Sequence, residues 1–452
     1  MSISNEKGNI YCQTGPHMKT DVLVCGGGPS GIAAAWGAAH AGAKVILAER
    51  NEFLGGTPVS CLVATMGYGA HDKERWVIGG FFKEFRNRMI TAGYLTPTKR
   101  KGWEPINVEG FKLVAFEMLE EIGVDIQCGL LAMGVEIQED SITQVIFRSK
   151  LATNVIQGKY FIDATGDGDI GYYSGCTYEV GRTENHGEQP GTLCYLLGNV
   201  DIEKVGEWLT LKGRRGYWIK DDRSSYINMT GLQEEVSRAF QEETLKIQRD
   251  HVASVYSIPG MTGVVGVNFG RIFLCDGNIG RRYMEGVRQA REGMEFFKRY
   301  IPGFEACELI ATAPQVGIRT SRRIKGLYTI TKEDLLNLSQ FEDVIAQGCY
   351  MIDIHSPESK GTTQIKIPKG KHYDIALRSI VSAERSNLFL AGRCISADFS
   401  AISALRIQPI CMASGHASGI AAAISCQTGE DGRKLNYKNV QQELLSQGGI
   451  LD

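Results

Sequence analysis

The sequence predicts an α/β protein: a parallel sheet assembled from segments far apart in the chain, carrying a second, mixed α+β region. Three observations predict it. DVLVCGGGPSGIAAA, Asp21 to Ala35, sets three consecutive glycines between an apolar run and an alanine-rich run. Two later apolar runs, Tyr160–Asp163 and Asn387–Ala391, each close on a small-residue turn, as strands returning to one sheet would. A chain of 452 residues is also long enough for two packed regions.

Asp21-Val22-Leu23-Val24-Cys25 reads as a short, buried parallel strand. Gly26-x-Gly28-x-x-Gly31 follows at once, and Gly31–Gly42 reads as a helix rich in alanine. A second apolar run, Lys44–Ala48, ends in Glu49. The unit is a βαβ with an acid at the tip of its second strand, the arrangement that cradles a dinucleotide. Gly26 permits the tight turn, Gly28 leaves room for a diphosphate against bare main chain, and Gly31 lets the helix sit close to the sheet. Pro29 and Ser30 open the helix, whose N-terminal N–H groups face the phosphates. Glu49 suits ribose hydroxyls.

Arg50 to Thr57, RNEFLGGT, then places the pair Gly55-Gly56 directly behind the strand tip, where the chain can pass close to a long, extended ligand. Tyr160–Asp169 is a strand closing on Ala164-Thr165-Gly166-Asp167, and Asn387–Arg393 is a strand closing on Gly392-Arg393. Met412–Ser425 continues as an alanine- and glycine-rich helix. Together with Pro314–Thr331, Tyr350–Pro357, Ile375–Val381 and Asn387–Asp398, these motifs resemble the FAD-dependent oxidoreductase family. That family has the glutathione-reductase-type, Rossmann-like FAD fold and is related to the heterodisulfide reductase A subunit. The resemblance runs from about Asp21 to Gly429. It implies FAD as cofactor, held by Gly26, Gly28, Pro29, Ser30, Gly31, Glu49, Arg50, Gly55, Gly56, Thr57, Ala132, Ala164, Thr165, Gly166, Asp167, Gly392, Arg393, Arg406, Ile407 and Gln408. The cysteine clusters of the heterodisulfide reductase subunits are missing, so no relay through iron–sulfur centres is expected.

On this reading residues 19–80, 112–180 and 376–430 form the FAD-binding domain, and 81–111 with 181–375 form the substrate or cap domain. Residues 1–18 are an N-terminal extension, and 431–452 a tail with a short surface helix. Within the cap, Thr192–Gly198 reads as a strand and Tyr283–Tyr300 as an amphipathic helix ended by Pro302-Gly303. Gly260–Gly266 is spaced as a sheet turn and not as a second dinucleotide fingerprint, so no separate NAD(P)H domain is expected.

Composition narrows the function. The net charge of −2 argues against a nucleic-acid or acidic-membrane binder. Lys212–Lys220, KGRRGYWIK, is a local basic and aromatic knot that reads as a solvated face. Twelve cysteines lie scattered without CxxC or metal-ligand spacing, which predicts no metal site and free thiols in the cytoplasm. MSISNEKGNIYCQTGPHM lacks the apolar centre of a secretory signal, and no run reaches membrane-spanning length.

The chemistry expected is hydride transfer between a small organic substrate, carboxylated or not, and flavin N5. Arg319, Arg322, Arg323 and Arg378 form a positive set suited to an anion, salt bridges within the cap being the other reading. His355 and His186 are candidate bases or ordinary structural histidines; His355 is preferred because it falls in a matched segment. Cys61 either lines the ring site or is a packed thiol. A helix start near Ile407-Gln408-Pro409 would aim its N-terminus at the flavin C2 carbonyl. The expected partners are a small-molecule substrate and an electron acceptor, either dioxygen or a partner protein; homo-oligomerisation stays open. Alternatives are a flavin subunit serving a partner protein, a flavin monooxygenase and a redox-silent binding scaffold.

Overall fold

The computed structural model describes residues 4–5, 8–9, 14–98, 103–182, 187–220, 225–274 and 277–452. Its first sheet is centred on β1 (Thr14–Cys25), which starts seven residues before the apolar run that the sequence marks. Helix α1 (Pro29–His40) follows, then β2 (Val45–Glu49), buried along its whole length. Helix α2 (Gly80–Thr91) precedes β3 (Asp125–Cys128), β4 (Leu131–Gln138), β5 (Ser141–Arg148) and β6 (Thr153–Asp163). The strand order is β3-β2-β1-β6-β5-β4. The β3, β2, β1 and β6 neighbours run parallel, while β4 and β5 form an antiparallel hairpin against the first half of β6. That hairpin makes the sheet mixed.

A second sheet is six-stranded and antiparallel. It contains β7 (Tyr195–Gly198), β8 (Gly216–Lys220), β9 (Ser225–Gly231), β10 (Val252–Ser257) and β11 (Val265–Asn268). Helix α3 (Ile279–Tyr300) and the edge strand β12 (Glu308–Thr312) complete it. The order is β8-β9-β10-β11-β7-β12, so the glycine-rich stretch 260–266 forms most of the turn out of β10 and the first two residues of its partner β11. The KGRRGYWIK knot includes edge strand β8. Helix α3 buries Phe296 and Phe297 against Phe269, giving this layer its own core.

The chain then forms the hairpin β13 (Ile352–His355) and β14 (Thr362–Ile365) before β15 (Leu388–Leu390) rejoins the first sheet, parallel to the end of β6. The long helix α4 (Gln408–Thr428) packs on α1, and the contact explains both alanine- and glycine-rich sequences. A side chain at Gly415 would overlap the Ser30 carbonyl, and one at Gly419 the Ala34 carbonyl. Only residues without bulk allow the two backbones to touch.

The cores divide differently from the sequence-based boundaries. Phe81, Phe82, Phe85 and Met89 of α2, expected in the cap, join the core of the first sheet, as do Ile324, Ile330, Ile352 and Ile375. The separate core spans only Tyr195 to Cys307, with Leu309 packed on it. Val440 and Leu444 of the tail helix are also buried in the first core.

His416 on α4 is buried between Gly37 and Gly80, with Nε2 at 2.8 Å from Gln447 Oε1. Burial pushes its imidazole down from 6.5 to about 4. The unfolded chain therefore takes up a proton first as pH falls. The stability from a neutral His416 is intact above 6.5 and is lost progressively toward 4, amounting to about 3 kcal/mol. His416→Gln should lose less stability than wild type between pH 7 and pH 4.5 in denaturant titrations.

Candidate active site

The glycine turn lies where β1 feeds α1. Gly26 has φ +106°, in the region that favours glycine, and a Cβ there would sit 2.4 Å or so from the Ala164 carbonyl. A Cβ on Gly31 would overlap the Gly26 carbonyl, so this glycine closes the turn from behind. Gly28 differs: its Cβ would meet only Gly56 Cα, at 3.8 Å, and the residue faces an open cavity. It is also the N-cap of α1, with no side chain capping the first N–H groups.

Glu49 stands opposite, 5% exposed. Its Oε2 accepts from Gly27 N at 2.6 Å, and its Oε1 accepts from Asn51 N and Nδ2 at 2.9 and 2.7 Å. The carboxylate thus steadies the glycine turn while lining the cavity. Gly55 N–H donates to Gly27 O at 2.8 Å, which holds the Gly55-Gly56 pair against the turn. On the third side, buried Asp163 accepts from Thr165 N (3.1 Å), Thr165 Oγ1 (2.7 Å) and Gly171 N (2.9 Å), fixing the Ala164-Thr165-Gly166 loop. Arg393 pairs with Asp167 at 3.4 Å and also donates to Ile318 O.

These segments enclose one cavity of about 620 Å³. Gly26, Gly28, Pro29, Ser30, Glu49, Arg50, Gly56, Thr57 and Ala132 line it, with Ala164, Thr165, Gly166, Asp167, Arg393, Arg406, Ile407 and Gln408. Gly31, Gly55 and Gly392 do not. They stand behind the wall, where a Gly392 Cβ would sit 2.6 Å from Ser30 Oγ.

The far end of the cavity carries ionisable groups. His355 ends β13, with Nε2 3.4 Å from Asp353 Oδ2 and Nδ1 3.3 Å from Thr362 Oγ1. Burial pushes the imidazole well below 6.5 and nearby Arg319 adds to it, against the pull of Asp353, so the ring is neutral at neutral pH. Burial would raise Asp353, but His355, Arg406 and Gln364 outweigh it and hold the carboxylate well below its ordinary value. Arg319 donates to Pro190 O and to Thr192 Oγ1 (3.0 Å), and burial beside Arg249 and Arg406 pushes it down to about 9. Cys61 lines the same space as a thiol, raised to about 11 by burial. Tyr68, Trp103 and Tyr350 form an aromatic wall, with Tyr68 5.6 Å from Trp103 and 5.8 Å from Tyr350.

Other candidates stand away from the cavity. Arg378 is half-exposed and bidentate to Asp343, stacked on Tyr328 and away from the cavity. Arg322 donates to Asp167 O and pairs with Asp169, and Arg323 donates to Ala397 O and Gly181 O; both are structural braces. His186 lies outside the described residues. The sequence reading missed Arg249, Asp353, Tyr68 and Trp103. Asp353 carried a signal, two residues before His355 and therefore on the same strand face. Arg249 carried none, because its partner Gly270 O comes beside it only through the pairing of β10 with β11. Among the described residues no group of His, Cys, Asp and Glu is placed to hold a metal, and no helix is long and apolar enough to cross a membrane.

A family model described as FAD dependent oxidoreductase matches residues 21–444. The chain is 48% identical over 47 residues to thiamine thiazole synthase of Aeropyrum pernix; the match covers 10% of this chain and 17% of that enzyme. Among solved structures, the flavin-dependent brominase Bmp2 superposes with a TM-score of 0.51 at 12% identity, over 94% of this chain and 83% of that one. A geranylgeranyl bacteriochlorophyll reductase-like protein of Thermoplasma acidophilum gives 0.46 at 14% identity, over 95% and 83%. The residues present fit FAD: a bare glycine at a helix N-terminus, an acid across from it and a cavity continuing past both.

Glu49→Ala removes the acceptor that steadies the glycine turn and that we propose also meets the FAD ribose. Each charge-assisted hydrogen bond contributes about 1.5–3 kcal/mol, so the Kd for FAD should rise about tenfold to a hundredfold. Fluorescence titration of the stripped protein with FAD checks it; an unchanged Kd removes the ribose contact.

Proposed function

Because the chain belongs to the FAD dependent oxidoreductase family, with FAD as its cofactor, we propose that it oxidises a small carboxylated substrate by hydride transfer, with His355 taking the proton. FAD, when bound, supplies a two-electron acceptor. Gly28, Pro29 and Ser30 hold its diphosphate, Glu49 its ribose, and Arg393, Ile407 and Gln408 the approach to its ring. Asp353 beside Nε2 favours the tautomer that leaves His355 Nδ1 as acceptor, and the Thr362 hydroxyl is its present donor. Arg319 and Arg406 keep the pocket positive toward a carboxylate, and the aromatic wall excludes water.

The observation that carries this reading is a neutral histidine, buried among guanidinium groups, in the same cavity as the glycine cradle. The ten described cysteines are unpaired, which supports a reducing, cytoplasmic setting. Electrons leave to dioxygen or to a partner protein, and oxygen uptake by the reduced protein separates the two. The test is an oxygen-free screen of carboxylated metabolites against the yellow protein. Bleaching of the flavin by at least one is expected; a flavin that none bleaches contradicts the reading.

A further inference from the structure

Arg249 has an unused chelating edge. It is 2% exposed and belongs to the cavity wall. Nη1 donates to Gly270 O at 3.1 Å, but Nε and Nη2 are buried without a hydrogen-bond partner; Asp353 and Asp250 act on the guanidinium by their charge alone. Nε and Nη2 share the guanidinium edge that grips a carboxylate through two parallel hydrogen bonds. Leaving two such donors buried and unpaired is costly, and a bound anion offsets that cost.

The edge is tied to the reacting end of the cavity. Gly270 O also accepts from Thr192 Oγ1 at 3.0 Å, and Thr192 Oγ1 accepts from Arg319 Nη2 at 3.0 Å. One carbonyl and one hydroxyl therefore link the two guanidinium groups. Both lie close enough to His355 to push its imidazole down. Nearby carboxylates are engaged: Asp353 by Gln364 at 3.0 Å, by His355 and by Arg406, and Asp250 by His251 at 2.6 Å.

We propose that Arg249 anchors the substrate's carboxylate through Nε and Nη2, and that the substrate is a 2-hydroxycarboxylate. The second half rests on the hydride-transfer reading above. A carboxylate on Arg249 beside His355 brings the neighbouring carbon's hydroxyl to the base. An ammonium in that place would stand beside Arg319 and Arg249, whose charges already push the His355 imidazole down, which selects hydroxyl over amine. In the step, the substrate hydroxyl would replace the Thr362 hydroxyl as donor to His355 Nδ1 and give up its proton there, the C2–H bond would break with its electron pair leaving as hydride, for which FAD would be the two-electron acceptor, and C2=O would form. The product is a 2-oxocarboxylate, and the two electrons are accounted for by the cofactor.

The test uses the FAD-loaded protein without oxygen. Lactate, phenyllactate and 2-hydroxyglutarate are titrated by calorimetry and flavin difference spectra, beside alanine and 1,2-propanediol. At least one hydroxycarboxylate should bind and bleach the flavin, with alanine and the diol binding at least tenfold more weakly. Arg249→Lys keeps the charge but loses the paired edge, and should raise the Kd at least tenfold with FAD content and melting temperature unchanged. If that variant does not fold, the wild-type comparison of the tightest hydroxycarboxylate with the diol decides. Binding of the diol equal to that of the tightest hydroxycarboxylate, an unchanged Kd in folded Arg249→Lys, or no binding by any hydroxycarboxylate overturns the anchor. Binding that depends on Arg249 while the flavin stays oxidised supports the anchor and overturns the hydride-transfer reading.

Discussion

Gly28→Val yields a folded protein that has lost its flavin. The backbone at this position is extended, with φ −78° and ψ −178°, a conformation valine adopts readily. Its Cβ would touch only Gly56 Cα, at 3.8 Å, so the protein backbone leaves room for a Cβ there. The branched side chain projects instead into the space at the N-terminus of α1, where a diphosphate needs bare main chain. The FAD affinity should fall about a hundredfold or more, a loss near 3 kcal/mol. Gly31→Val serves as the contrast. Its side chain would overlap the Gly26 carbonyl, so the expected loss there is the fold itself, seen as insolubility or a lowered Tm. Circular dichroism and the flavin spectrum separate the two outcomes; a yellow Gly28→Val protein contradicts the cradle.

His355→Ala should slow flavin reduction by substrate about 10²- to 10⁴-fold, the usual contribution of a positioned base, with FAD content unchanged. Its pH dependence is the sharper readout. Burial and Arg319 hold the His355 conjugate acid well below 6.5, so the imidazole remains able to accept a proton as pH falls through that value. Wild-type kcat/KM should therefore stay level through 6.5 and drop only at lower pH. The acidic drop should vanish in His355→Ala. A wild-type profile that already halves near 6.5, or an unaltered half-reaction in the variant, removes His355 as the base.

Much of the cofactor end was legible because its chemistry is local. Gly26, Gly28 and Gly31 do different jobs at fixed spacing, and Glu49 follows on the next strand, so the βαβ unit could be read from adjacent residues. The Ala164-Thr165-Gly166 turn and β15 were legible for the same reason, each being an apolar strand closed by small residues. Gly392 shows the limit of that reasoning. Glycine there answers to Ser30 behind the wall, and sequence cannot tell a glycine facing ligand from one facing backbone.

The substrate end was legible only in part. His355 could be named because its segment carries a family resemblance, but its neutral state follows from burial among Arg319 and Arg249. Arg378 looked equivalent to Arg319 in sequence, yet one is half-exposed on Asp343 and the other is buried in the cavity wall. Long-range packing decided between them. The β4–β5 hairpin and the assignment of α2 to the first core were missed because both depend on which face meets a distant strand or helix.

The structure of the FAD-loaded chain tests the account most directly. The diphosphate should lie within hydrogen-bond distance of the Gly28–Ser30 main chain, with the ring in the compartment lined by Arg393, Gln408 and His355. A cofactor seated elsewhere, or a ring separated from His355 by intact protein wall, would contradict it.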